Sequence, residues 1–283
     1  MKFTKMHGIG NDYIYVFTEE EKVSDPEHTA IKVSDRHKGI GSDGLILIGK
    51  DSDGFFTMDI YNADGSRGKM CGNGIRCVGK YLYDRGLTGG NMEVDIKTLS
   101  GIKHLKLICE GGKCAAATVD MGRPVFDLEQ IPADPFFLKD GQLTAGCDVF
   151  DVFTVSMGNP HCVIFADREP VSLATLDRLD IGMIGPLFEK HSAFPEGVNT
   201  EFVIVEDNHT ISMRVWERGS GETLACGTGA CAAAVASIKT GRTEAGNVKV
   251  KLLGGDLDIF WDGGNVLMTG PCATVCEGVY FAD

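Results

Sequence analysis

Two stretches of this 283-residue chain set a cysteine directly before Gly-x-Gly and a helix-like run: Cys71-Gly72-Asn73-Gly74 and Cys226-Gly227-Thr228-Gly229. The run over residues 232–238 is almost wholly apolar, which marks a buried helix, and Gly241 reads as its stop. The first run ends in the same way at Gly86. A cysteine at a helix N-terminus feels the partial positive charge of the aligned peptide dipoles. That setting can bring a thiol's pKa down to roughly 3.5–7.5, where it serves as base or nucleophile near neutral pH. The glycines leave backbone N–H groups open to a carboxylate. One such unit binds an α-carboxylate and offers sulfur to the neighbouring carbon. Two units facing each other offer sulfur to both faces of that carbon, an arrangement that inverts a stereocentre by removing a proton on one side and returning one on the other. The competing readings are a pair of structural cysteines in glycine-rich turns, and a redox pair, which needs the two sulfurs within bonding distance.

The elements that position the thiols are short strands punctuated by glycine. Residues 13–17, 45–48, 56–61, 92–96 and 105–109 read as strands, as do 152–156, 162–165, 202–206 and 211–216. Residues 127–146 form a looser stretch rich in Pro and Asp. An amphipathic helix is expected over residues 172–179, followed by a Gly/Pro loop through residues 182–186. Laid on itself, the chain aligns residues 59–86 with 214–241 without a gap, although only four of those 28 positions are identical. The order of the other matches carries more weight. Gly10-Asn11 before a strand echoes Gly158-Asn159, Gly41-Ser42-Asp43 echoes Gly197-Val198-Asn199, and Lys97-x-Leu99-x-Gly101 echoes Lys251-x-Leu253-x-Gly255. The expectation is an α+β fold of two homologous halves, residues 1–120 with 271–283 and residues 121–270. Each half is expected to wrap a mixed sheet round a central buried helix, with the active site in the cleft between them. The tail over residues 273–281 is expected to return as a strand to the first half.

Composition narrows the function. A net charge of −13 argues against a nucleic-acid partner, which needs basic residues to meet phosphates. The start of the chain lacks an apolar secretory segment, and no run has the length of a membrane span, so a cytoplasmic protein is expected. Ten cysteines in a reducing compartment argue against a disulfide framework. Their spacings lack the paired ligands of a zinc site, so no metal is expected. Nothing suggests a pyridoxal lysine site or a dinucleotide fold, so the thiols are expected to work without a cofactor. Taken singly, His161 can orient a thiol or donate to substrate, Glu217-Arg218 reads as an exposed ion pair, and Asn11, Asn62, Asn159 and Asn199 read as turn formers. Converging on one site, they suit a substrate with ammonium and carboxylate groups.

Residues 62–66, 70–77, 158–161, 197–199 and 217–229 together resemble the diaminopimelate epimerase family, in the right order over nearly the whole chain. The resemblance implies a cofactor-independent, homodimeric enzyme that interconverts LL- and meso-diaminopimelate in lysine and cell-wall synthesis. It implies that Cys71 and Cys226 are the acid/base thiols, with His161 and Glu217 beside them. It implies substrate binding by Asn11, Asn62, Asn159, Asn199, Glu217 and Arg218, chiefly at the distal end, and by Gly72, Asn73, Gly227 and Thr228 at the reacting carboxylate. One position departs: many members carry Gln where this chain has Gly44. The proline racemase group shares Cys-Gly-Thr-Gly but follows its first cysteine with Gly-His, where Asn73 stands here. A proline or hydroxyproline racemase is therefore the alternative, and an amino-acid-binding protein without activity is a third reading.

Overall fold

The two helices that follow Cys71 and Cys226 are each thirteen residues long and nearly buried along their length. The computed structural model describes residues 1–168, 171–172 and 178–281. Contacts divide the chain into two units, Met1–Asp120 with Thr269–Asp283, and Met121–Met268.

In the first unit β1 (Lys2–Gly8) pairs antiparallel with β2 (Asn11–Phe17) across a tight turn. Gly10 takes a φ of +89° in that turn, a conformation glycine adopts without strain. Helix α1 (Pro26–Ser34) begins at Asp25, whose carboxylate accepts the His28 N–H. Strand β3 (Gly44–Lys50) lies parallel to β2, and β4 (Phe56–Asn62) runs antiparallel to β3. Strand β5 (Arg67–Gly68) folds back on β4 and delivers the chain to α2 (Gly72–Asp84). Then β6 (Glu93–Thr98) runs parallel to β4, and β7 (Gly101–Glu110) and β8 (Lys113–Gly122) follow as antiparallel neighbours. Ile14, Val16, Leu45 and Leu47 pack with Ala30 and Val33 of α1 in one core, while α2 packs against β1, β2 and β7.

The second unit repeats this order after a hairpin of β9 (Gln142–Ala145) and β10 (Asp148–Asp151). Strand β11 (Phe153–Ser156) pairs antiparallel with β12 (Pro160–Phe165), as β1 does with β2. Short strands β13 (Asp167–Arg168) and β14 (Val171–Ser172) pair with each other, and α3 (Ile181–Glu189) follows. Strand β15 (Asn199–Asp207) is parallel to β12, β16 (Thr210–Glu217) antiparallel to β15, and β17 (Gly221–Glu222) leads into α4 (Gly227–Lys239). Strand β18 (Gly246–Leu252) is parallel to β16, β19 (Gly255–Trp261) antiparallel to β18, and β20 (Val266–Pro271) comes next. Helix α4 packs on β11, β12, β15, β16, β18 and β19, so strands wrap it on all sides. Beyond the helix, Phe188 meets Phe150 and Phe202 edge-on at 5.0 and 6.0 Å. Such pairs add about 0.5–1.5 kcal/mol each beyond area burial.

The helix stops repeat as well. Gly86 and Gly241 have φ of +73° and +69°. Gly86 N–H donates to Tyr83 O and Leu87 N–H to Leu82 O; Gly241 N–H donates to Ile238 O and Arg242 N–H to Ser237 O. Both are Schellman closures, which need glycine at this position to avoid the cost of a left-handed backbone. The chain finally returns to the first unit as β21 (Ala273–Val279), antiparallel to β1, as expected of the tail. The strands read from the sequence are present, mixed sheets surround two central helices, and the α+β class and the repeat hold.

One element differs. Residues 182–186, expected to be a Gly/Pro loop, lie inside α3. Asp180 caps this helix by accepting the Met183 N–H, and burial of Ile181, Gly185 and Phe188 on one face outweighs the hydrogen bond that Pro186 cannot make. Gly185 is needed there, since a Cβ would fall 2.4 Å from the Trp216 ring. Residues 173–177, in the helix expected over 172–179, lie outside the described residues.

Candidate active site

In the second unit Cys226 is the N-cap of α4, with extended backbone (φ −115°, ψ 109°), and its Sγ accepts the Gly229 N–H at 3.3 Å. Sulfur here does what a serine or aspartate oxygen does at other helix starts. The thiol is only 4% exposed. Burial pushes its pKa well above the ordinary thiol value, and the Glu217 and Glu201 carboxylates push the same way, against the pull of Thr228 and the Gly229 N–H. The lowering expected from the helix N-terminus is thus outweighed by desolvation, and the free chain holds Cys226 as a thiol. Thr228 Oγ1 lies 3.5 Å from the sulfur and accepts from Asn159 Nδ2 at 3.3 Å. Asn159 Oδ1 in turn meets His161 Nε2 at 3.0 Å, and His161 Nδ1 meets Glu201 Oε1 at 2.7 Å.

The strand order explains why these groups meet. His161 and Asn199 are register partners where parallel β12 and β15 begin, and β16 ends beside them at Glu217. Asn199 ties this end together: its Nδ2 donates to Pro160 O at 3.1 Å and its Oδ1 accepts the Arg218 N–H at 2.9 Å. Glu217 accepts the Thr223 hydroxyl, and Arg218 Nη1 donates to Glu196 O at 2.7 Å. Each of the two therefore has a partner other than its neighbour, unlike the surface ion pair that the dipeptide suggests alone.

In the first unit Cys71 caps α2 in the same way, with Sγ accepting the Gly74 N–H at 3.3 Å. Its thiol donates to Asn11 Oδ1 at 3.3 Å, and Asn11 Nδ2 donates to Asp43 Oδ2 at 2.8 Å. Arg36 Nη2 bridges Asp43 and Asp12, and Lys5 pairs with Asp12 at 2.8 Å. The carboxylates therefore set which end of the Asn11 amide faces sulfur. Burial alone would raise the Asp12 pKa, but hydrogen bonds and charge from Lys5 and Arg36 hold it below the usual carboxylate range. A depressed carboxylate stabilises the fold above its unfolded value near 3.8, and that contribution is lost as pH falls through the folded value. Asp12→Asn is thus expected to lower the melting temperature at pH 7 and to lose this deficit below pH 3.8, which melts across that range will read.

Asn62 Nδ2 donates to Ser66 Oγ at 2.9 Å in the turn after β4. Asn73 is buried, with its Oδ1 accepting from Arg76 Nη2 at 2.9 Å; only its backbone belongs to the helix start. Arg76 is wholly buried and also donates to Gly72 O at 3.2 Å and to Pro271 O at 3.3 Å. Gly44 sits with its missing Cβ 2.2 Å from Tyr61 O and 2.8 Å from Tyr13 Cε1, so this backbone admits no side chain there. Gly44→Ala is expected to cost about 1–3 kcal/mol through overpacking, read as a lower melting temperature.

Sequence reasoning passed over Arg76, Glu201, Asp43 and Arg36. Arg76 and Glu201 did leave a signal, a charged residue inside an otherwise buried helix or strand, which is retained only with compensation. Asp43 and Arg36 left none, because their contacts join residues distant in sequence.

The family model for diaminopimelate epimerase matches residues 3–126 and 153–275, which is most of each unit. The chain belongs to the diaminopimelate epimerase family. The diaminopimelate epimerase of Acetivibrio thermocellus is 50% identical over 282 residues, covering 98% of each chain. That of Methanococcus maripaludis is 48% identical, covering 98% of this chain and 99% of its own. Among solved structures, a hydroxyproline epimerase from Agrobacterium vitis superposes with a TM-score of 0.68 at 16% identity, over 98% of this chain and 90% of its own. At that identity the likeness is one of fold alone. Within the diaminopimelate epimerase family the two stretches that carry cysteine and Gly-x-Gly fall inside the two matched segments, one in each.

Proposed function

We propose that this chain is an amino-acid epimerase that interconverts LL- and meso-diaminopimelate, with Cys71 and Cys226 as its acid and base. The observation that carries the reading is the paired helix start: in each unit a cysteine sulfur replaces the usual N-cap oxygen and takes the N–H three residues on, at 3.3 Å. Evolution of a capping residue for stability alone favours Ser, Thr, Asp or Asn, so a thiol in both caps points to proton transfer. One sulfur removes the α-proton as a thiolate, and the other delivers a proton to the opposite face as a thiol. Burial holds Cys226 protonated before substrate arrives, the state required of the donor. The N–H groups following each cysteine, at Gly72-Asn73 and Gly227-Thr228, suit the carboxylate next to the reacting carbon. His161 and Glu217 support the thiols, and Asn11, Asn62, Asn159, Asn199 and Arg218 hold the substrate, the arginine suiting its distal carboxylate. The thiols need no electron-sink cofactor in this scheme. A cytoplasmic homodimer belongs to the same proposal.

The test is an assay of purified protein on LL-diaminopimelate without added cofactor, beside L-proline and trans-4-hydroxy-L-proline. Formation of the meso isomer with no racemisation of the cyclic substrates is the expected result. Turnover of a cyclic substrate alone would overturn the substrate assignment.

A further inference from the structure

We propose that Glu201 is a positioning residue for Cys226, holding the His161 ring so that hydrogen-bond donors run from His161 through Asn159 and Thr228 onto the sulfur. The chain of contacts is unbroken and lies within one unit: Glu201 Oε1 to His161 Nδ1 at 2.7 Å, Nε2 to Asn159 Oδ1 at 3.0 Å, Asn159 Nδ2 to Thr228 Oγ1 at 3.3 Å, and Thr228 Oγ1 to Cys226 Sγ at 3.5 Å. Direction follows from the donor inventory. Asn159 offers its carbonyl oxygen to the ring, so Nε2 carries the hydrogen. Its amide nitrogen donates to Thr228, which leaves the threonine hydroxyl hydrogen free to point at the sulfur. Successive donors polarise one another in a low-dielectric interior, so the end of the chain meets a developing thiolate with more than one hydroxyl's worth of stabilisation.

Glu201 controls that direction. It is 0% exposed on β15, between buried Thr200 and Phe202, and its second oxygen, Oε2, is buried without a hydrogen bond. A buried carboxylate with one oxygen unmet is costly and needs a compensating charge. The His161 ring is the group that meets it: one hydrogen lies between Oε1 and Nδ1 across the 2.7 Å contact, and the Asn159 carbonyl places the other on Nε2. A bare Nε2 would reverse the Asn159 amide and turn Thr228 into an acceptor from the thiol. The other ionisable groups near these atoms are Glu217, which faces Cys226, and Cys162, which faces Glu201. Glu217 acts through space and lies outside the chain.

This proposal rests on Cys226 being one of the working thiols, so its test is separated from turnover. In a Cys71→Ala background, alkylation of Cys226 by iodoacetamide is followed across pH by mass spectrometry of the peptide that carries it. Glu201→Gln is expected to move the Cys226 titration up by about one unit, slowing alkylation at neutral pH about tenfold. Thr228→Val is expected to do the same and Thr228→Ser to restore it, and Glu201→Gln with Thr228→Val is expected to be no slower than either alone. A downward shift in Glu201→Gln would show a carboxylate acting only through space and would overturn the proposal, as would no shift or two additive ones. Should Glu201→Gln fail to fold, ring nitrogen chemical shifts of His161 in the wild type decide instead: a protonated Nε2 is expected and a bare one overturns the proposal. Retained epimerisation by Cys71→Ala would tell against the two-thiol reading and leaves the alkylation result independent.

Discussion

Cys226→Ser and Cys71→Ser are each expected to lower epimerisation of diaminopimelate by about 10²–10⁴-fold, the range for loss of a positioned acid or base. Serine is the informative replacement. A hydroxyl oxygen still accepts the N–H that the sulfur takes at 3.3 Å, so the cap and the helix persist, whereas alanine would remove the cap as well. What serine removes is sulfur, a far stronger acid than the hydroxyl that replaces it and so the better group to pass and take the α-proton. The two variants differ from a general loss of structure in a second readout. A chain with one working thiol can take the α-proton and return a solvent proton only to the face it came from. Each variant therefore retains slow α-hydrogen exchange on one stereoisomer without inversion. Chiral chromatography of the product and mass spectrometry of the recovered substrate check both halves of this expectation.

Arg76→Met is expected to destabilise the first unit by at least about 3 kcal/mol, because three acceptors lose their donor and each costs about 1–3 kcal/mol when left unmet. The arginine is wholly buried and serves Gly72 O, Asn73 Oδ1 and Pro271 O, and Met fills a similar volume without a donor. Burial lowers the Arg76 pKa, so the folded state already bears a cost for this charge and keeps it for its five donors. Gly8 has no room for a side chain because a Cβ would stand 2.8 Å from Arg76 Nη2. The residue thus locks the backbone of the first turn of α2 against the end of β1. Loss of stability should come with loss of turnover, as the Gly72-Asn73 turn loosens. Thermal melts and kcat on the same preparation will show whether the two fall together.

The paired cysteines, the repeat and the α+β class were legible because each has a short-range signature. A cysteine before Gly-x-Gly, a glycine just past each helix and, in the second unit, an apolar run between them are all local. Residues 182–186 misled because glycine and proline are breakers on average, and only the packing of Gly185 on Trp216 and the Asp180 cap reverse that. The Cys226 pKa misled through competing effects: the helix dipole is written in the sequence, but the depth of burial and the approach of Glu201 and Glu217 are not. Glu201 is marked in the sequence as a charge inside a buried strand, but its partner is not. Only the parallel register of β12 and β15 sets it against His161.

The central claim is that two sulfurs act on opposite faces of one carbon, and isotope placement during early turnover tests it most directly. LL-diaminopimelate with ordinary hydrogen at its α-carbons is incubated with wild-type protein in deuterated water and stopped at low conversion. Two thiols predict one solvent deuterium at the inverted carbon of the meso product, with the recovered LL substrate still unlabelled, because the returning proton comes from a sulfur equilibrated with solvent. Deuterium appearing equally early in recovered substrate and product, or product that keeps the original hydrogen, would mean that one group serves both faces and would contradict the account.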